Sequence, residues 1–228
     1  MRVLIVTTSC YTLSGRHPTG LWLEEFAVPF IELAKLGADI TVASPEGGAV
    51  PLDPKTEPDY EQRIKWAEAL RALTTTVKLS QINPDQFEAL FFPGGHGPVK
   101  DLADNADVKR IVEAMDRKGA VIAAVCHGPV ALLNASKVSG EPLVAGRKVA
   151  GFSNLEERMV GLYDVVPFRL EDALKEKGAR YDAGLLPMIS HVVKDGNLIT
   201  GQNPASSASI AKEMINAFGV GGNLSLAV

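Results

Sequence analysis

Short, wholly apolar runs alternate along this chain with longer stretches in which apolar residues recur at helical spacing. Residues 3–8, 40–43, 89–92, 121–125 and 198–200 have the continuous apolar character of strands buried on both faces. Residues 21–36, 108–118 and 205–218 carry the helical pattern, and the first two stretches stop at Gly37 and Gly119. Buried strands separated by helices predict an α/β fold with a mostly parallel sheet covered on both faces.

Two segments break this rhythm. Residues 45–54 are too rich in Gly and Pro for regular structure and begin where the second strand ends, on the carboxyl edge of the sheet. With the helical pattern of 62–73 they predict an insertion at about 45–75 over that edge. The last stretch, 221–228, reads as a loose tail or as an arm on a neighbour. No internal repeat or low-complexity tract divides the 228 residues, so one domain over 1–228 is expected.

Composition changes this picture mainly by exclusion. A net charge of -4 with no Lys/Arg run argues against nucleic acid as a partner. No apolar stretch reaches membrane-spanning length, and the first residues lead into a strand rather than a signal peptide. Two cysteines make no disulfide framework, so a reducing cytoplasm is the expected compartment. The four histidines, at 17, 96, 127 and 191, show no metal-ligand spacing, so no metal is expected.

The candidate chemistry gathers around Cys126. The strand 121–125 runs into Cys126-His127-Gly128-Pro129, and small neighbours suit a nucleophile held on a sharp turn between strand and helix. N-terminal amides of the following helix would favour the thiolate, giving a lowered pKa. The plainer alternative is a buried core cysteine. A second Gly-rich turn, Pro93-Gly94-Gly95-His96-Gly97-Pro98, follows another strand and opens on the same edge. Its amides, with that of His127, could form an oxyanion hole. His96 is open as ligand, base or surface residue, with the surface position expected. The acid pairs Glu24-Glu25 and Glu156-Glu157 by themselves need mean only carboxylates in the first turn of a helix. Cys10 lies just past the first strand, and a cysteine of no chemical role is expected there rather than a resolving thiol.

Ala124-Val125-Cys126-His127-Gly128-Pro129, with Gly94-Gly95-His96-Gly97 upstream, resembles the ThiJ/PfpI superfamily, which shares the fold of class I glutamine amidotransferases. Within it the chain is similar to the glutathione-independent glyoxalase branch, also described as small heat-shock-type chaperones. The branch features are Thr19-Gly20 with an acid five residues after the glycine, Ser44-Pro45 with Gly47-Gly48, Gly151-Phe152 with an acid six residues after that glycine, and Thr200-Gly201-Gln202-Asn203-Pro204-Ala205-Ser206.

The resemblance implies a flavodoxin-like three-layer sandwich with a nucleophile elbow at the strand carboxyl edge. It implies Cys126 as nucleophile, His127 as its partner, Glu157 as the acid orienting the histidine, and Glu25 as the acid beside the sulfur. Gly95, Gly94 and His127 would serve the oxyanion or substrate. Because His127 directly follows Cys126, its ring could face an acid instead of the thiol. The late His191 has no acid two residues on, unlike a class I glutaminase, so neither glutaminase activity nor a synthase partner is expected and His191 is expected to be structural or at the surface.

The leading functional expectation is a cofactor-free lyase of the glyoxalase type that turns methylglyoxal or glyoxal into lactate or glycolate, with a homodimer as assembly state. The alternatives are a holdase chaperone, a deglycase acting on early glycation adducts, and another small-molecule hydrolase or hydratase using the same cysteine.

Overall fold

The computed structural model describes residues 1–15 and 17–219; the segment 221–228 lies outside them. Among the described residues nine strands form in chain order: β1 (Arg2–Val6), β2 (Asp39–Ser44), β3 (Val77–Lys78), β4 (Ala89–Phe92), β5 (Val121–Val125), β6 (Lys148–Val149), β7 (Arg180–Tyr181), β8 (Val192–Asp195) and β9 (Leu198–Gly201). The helices are α1 (Leu23–Lys35), α2 (Tyr60–Lys65), α3 (Ala67–Ala72), α4 (Pro98–Asp101), α5 (Ala106–Arg117), α6 (Asn154–Met159), α7 (Leu170–Glu176) and α8 (Ser207–Ala217). Seven strands make one sheet in the order β3-β2-β1-β4-β5-β9-β8, parallel except where β8 pairs antiparallel with β9. The small pair β6-β7 stands apart from it.

The central strands lie where the apolar runs placed them, because a strand covered on both faces can use only apolar side chains. All four residues of β4 are buried, as are four of the five in β5. Alternate residues feed two cores. Leu4, Leu90, Phe92, Ile122 and Ala124 face one, packed against the Val108-Ile111-Val112-Met115 stripe of α5. Val3, Ile5, Phe91, Ala123 and Val125 face the other, with α1 and α8. Asn105 caps α5, its side chain accepting from the amides of Asp107 and Val108. Among the described residues no helix is long and apolar enough to cross a membrane.

Three departures from the sequence expectation bear on the site. First, 45–56 does cross the carboxyl edge, where the Leu21 amide donates to the Pro51 carbonyl and that of Asp53 to Leu21. The pattern over 62–73 splits into α2 and α3 at Trp66; α3 packs on α1, and the Leu73 carbonyl at its end accepts the Val50 amide. The amphipathic stripe was real, but its apolar partner is a helix face. Second, the edge strands β3 and β8 and the pair β6-β7 escaped prediction because they are short and half exposed, without an apolar run. Third, the segment after Cys126 is a 3-10 helix over Gly128–Leu132, not an α-helix. All five of its residues are buried, so it has no solvent face to give a helical stripe.

The elbow is set by close backbone approach. Cys126 has φ 59, a left-handed conformation that costs a non-glycine residue about 1–2 kcal/mol. Its amide donates to the Gly201 carbonyl and its carbonyl accepts from the Phe152 amide, both at 2.9 Å, so β9 and the loop after β6 hold the strained residue from two sides. Gly128 is required next to it: a Cβ there would lie 2.1 Å from the Phe92 carbonyl oxygen.

Candidate active site

The carboxyl ends of β4 and β5 bring the two glycine-containing turns together. Gly95 has φ 86, and a Cβ on it would lie 2.2 Å from the Gly20 carbonyl oxygen, so this turn packs directly on the backbone that leads into α1. The Trp22 amide donates to the Gly94 carbonyl and the Gly97 amide to the Gly20 carbonyl, which locks that packing.

This junction separates the two acids of α1. Glu25 points inward with Phe26, Ala27 and Phe30 and is fully buried, while Glu24 is exposed, as the roughly 100° between successive helix positions demands. Oε2 of Glu25 accepts the Gly94 amide at 2.7 Å. That bond corrects the expectation that Gly94 serves the oxyanion or substrate: its N–H is taken by Glu25, and its role is to fix the carboxyl. Oε1 has no full hydrogen bond among the described residues, and the Cys126 thiol is the hydrogen-bonding neighbour beside this carboxyl.

The amides of Gly95 and His127 point at the sulfur. On the sulfur's other side, Nδ1 of His127 lies 3.5 Å away. Nε2 of the same ring is 2.8 Å from Oε2 of Glu157, so His127 faces both the thiol and an acid. Glu157 also receives His96, whose Nε2 is 2.7 Å from Oε1. The imidazoles lie 4.1 Å apart between ring centres, with Phe152 4.7 Å from the His127 ring. His96 is thus buried and bound to the same carboxylate as His127, which corrects its expected surface position. Nothing in the sequence around His96 signals a partner that lies 61 residues away.

Burial alone would raise the Glu157 pKa, but the two imidazole N–H donors hold it down at about 2. A carboxylate only accepts, so both Nε2 atoms carry the proton, and Nδ1 of His127 is left as a lone pair toward the sulfur. Burial, and then His96 beside it, pushes the His127 pKa down, which keeps that ring neutral.

His96, His127 and Glu157 bring three ligand-type atoms within 4.8 Å, a cluster that sequence spacing did not reveal. In the geometry present, Nε2 of each histidine and both carboxylate oxygens are committed to hydrogen bonds with one another.

Burial pushes the Glu25 carboxyl up to about 8. The Cys126 thiol rises well above its usual range for the same reason, with the neighbouring Glu25 adding to the effect. This overturns the lowered value expected from a helix terminus: no α-helix starts here, the sulfur is largely buried, and the neighbour is an acid. The pair therefore loses its first proton near pH 8 and resists losing the second, because two negative charges would then share one dry pocket.

Glu156, next to Glu157, has a different task. Its Oε2 accepts the amide and hydroxyl of Ser153 in a capping box, and its Oε1 accepts the Met188 amide and the Asn203 side chain. Glu156 does lie in the first turn of a helix, as the sequence predicts, and the capping box is an addition from the structure. Cys10 donates its thiol hydrogen to the Thr12 carbonyl, 3.1 Å away, and does not line the cavity at Cys126. His191 is half buried, with Nε2 3.4 Å from Asp182, outside the cluster.

A parallel α/β sheet with a strained, acid-paired cysteine at one strand end and a His–Glu network beside it defines a class of cysteine-centred α/β proteins. The chain belongs to the DJ-1/PfpI family, whose model matches residues 19–217. It is 30% identical to glyoxalase 3 of Candida albicans, over 96% of this chain and 98% of that one. Identity is also 30% to the glutathione-independent glyoxalase HSP31 of Saccharomyces cerevisiae, over 92% of this chain and 89% of that protein. The crystal structure of the Rapid Encystment Protein of Francisella tularensis superposes with TM-score 0.89 at 36% identity, covering 95% of this chain and 98% of that one.

The coupled pair makes a pH prediction. Alkylation of Cys126 by iodoacetamide requires a sulfur able to surrender its proton, so its rate should climb as pH rises through about 8, where the pair becomes a monoanion. Mass-spectrometric labelling from pH 6 to 9 checks this. A rate already at its plateau at pH 6 would show a thiolate preformed without Glu25.

Proposed function

We propose that this protein is a cofactor-free glyoxalase that uses Cys126 to convert methylglyoxal or glyoxal into the 2-hydroxy acid. The observation that carries the reading is the buried Glu25 carboxyl beside the Cys126 sulfur, under two amide donors. The similarity to glyoxalases of two yeasts supports it.

In the reacting monoanion, Glu25 takes the thiol proton as sulfur adds to the aldehyde carbon. The Gly95 and His127 amides hold the resulting oxyanion, which then receives that proton from Glu25 and becomes the hemithioacetal hydroxyl. Glu25, again a carboxylate, removes the hydrogen from the first carbon to give an enediol. The hydroxyl proton shifts to the neighbouring oxygen, and Glu25 returns its proton to the second carbon. The first carbon is thereby oxidised and the second reduced, with no external electron acceptor. Water, its proton drawn to Nδ1 of His127, attacks the thioester. The carbon–sulfur bond breaks, and the sulfur leaves with the proton restored. Glu157 keeps the imidazole tautomer that this last step needs.

Lactate formation from methylglyoxal should vanish in Cys126→Ala and in Glu25→Gln, fall partially in Glu157→Gln, and survive in Glu24→Gln and Cys10→Ser. Loss in Glu24→Gln with activity kept in Glu25→Gln would refute the proton shuttle.

A second reading, as a holdase, is favoured by one observation. Leu155, Met159, Leu185, Leu186 and Ile189 are exposed on α6 and the segment before β8, which the Glu156–Met188 bond ties together. A symmetric homodimer, which we propose as the assembly state, would cover part of such a surface. Light scattering that gives a dimer, with no suppression of aggregation by the Cys126→Ala protein, supports the enzyme reading alone. A monomer whose Cys126→Ala form still suppresses aggregation would establish the holdase instead.

A further inference from the structure

The chamber above Cys126 is larger than the substrates considered so far. It measures about 300 Å³, on the order of ten water volumes at ~30 Å³ each. Methylglyoxal, with one methyl group beyond its two carbonyls, would occupy only roughly three of them. Its apolar lining includes Trp22, Phe152, Val160, Leu162 and Met188.

The buried polar side chains of this wall, Thr19, Asp53 and His96, each have a hydrogen-bond partner within the protein. Asp53 accepts the Lys55 amide at 3.0 Å and faces the Thr19 hydroxyl at 3.4 Å, and both of these side chains are buried. His17 and Lys55, which also line the chamber, are exposed. A substituent reaching past the reacting carbons therefore meets aromatic and aliphatic carbon. Hydroxyl groups there would be stripped of water without gaining partners. Met188, set by its amide bond to Glu156 at φ 59, closes the wall with an adaptable side chain.

We infer that the preferred substrates are 2-oxoaldehydes bearing a bulky apolar substituent, with the two carbonyls at Cys126 and the substituent filling the chamber between Trp22, Phe152 and Leu162. The inference rests on the glyoxalase reading and specifies its substrate class. The chemistry is unchanged: water adds, the aldehyde carbon is oxidised, and its neighbour is reduced.

The test compares kcat/KM of the full-length protein for methylglyoxal, isobutylglyoxal and the polyhydroxylated 3-deoxyglucosone. Since one buried methylene is worth about tenfold or more in selectivity, isobutylglyoxal should exceed methylglyoxal by at least about tenfold, and 3-deoxyglucosone should be the poorest of the three. Leu162→Trp, which fills the chamber, should reduce the isobutylglyoxal-to-methylglyoxal ratio by about tenfold or more. Val160→Phe should act in the same direction and serves if the first variant does not fold. Turnover of methylglyoxal with isobutylglyoxal equal or slower, a ratio indifferent to both variants, or 3-deoxyglucosone as the best substrate would each overturn the inference while leaving the glyoxalase reading in place. No turnover of any of the three would overturn that reading, and the inference with it.

Discussion

A carboxyl and a thiol are packed together at the end of β5, the carboxyl fully buried and the thiol nearly so. Neither group favours ionisation in such a place, and together they hold one proton where two exposed groups would hold none at high pH. Much of the surrounding backbone serves this contact. The Gly94 amide fixes the carboxyl, the Gly95 and His127 amides face the sulfur, and the left-handed Cys126 turns its side chain out of the strand. The strain at Cys126 is borne by hydrogen bonds from β9 and the loop after β6, which connects the pair to the rigidity of the central sheet.

The second carboxylate works under opposite physics. Glu157 is also buried, yet two N–H donors keep it ionised, while Glu25 has one amide and a thiol. Burial raises both acids; at Glu157 the two imidazole donors outweigh it, and at Glu25 one amide and a thiol do not. Glu156, one residue earlier, spends its carboxylate on the Ser153 cap and the Met188 loop, so adjacent acids in one helix turn serve the chamber wall and the imidazoles separately.

Much of this was legible in the residues. Buried strands announce themselves as apolar runs, so β4 and β5 were placed to the residue and the elbow followed from Cys126-His127-Gly128-Pro129. Glu25 could be told from Glu24 only by the resemblance, because helix periodicity says that the two diverge but not which one faces the sheet. The burial of His96 is not legible locally, because His96 lies in the turn after β4 and its partner Glu157 comes from α6, 61 residues on, and no local pattern encodes that meeting. A lowered thiol pKa requires an α-helix N-terminus at Cys126, whereas the wholly buried Gly-Pro-Val-Ala-Leu segment folds as a 3-10 turn and the dominant influence on the sulfur is burial.

The shared proton also leaves a mark on stability. Glu25 has an ordinary pKa of 4.5 and rises to about 8 in the fold, so between those values the folded protein keeps a proton that the unfolded chain has released. Its contribution therefore becomes less favourable as pH rises across that window, by ~1.4 kcal/mol per pH unit. Glu25→Gln keeps an acceptor for the Gly94 amide and removes the titration. The most direct measurement is the unfolding free energy of the wild-type and Glu25→Gln proteins by chemical denaturation at pH 5 and pH 8. The variant should gain on the wild type between these values by several kcal/mol; a difference that stays constant across the range would contradict a buried, protonated Glu25 beside Cys126.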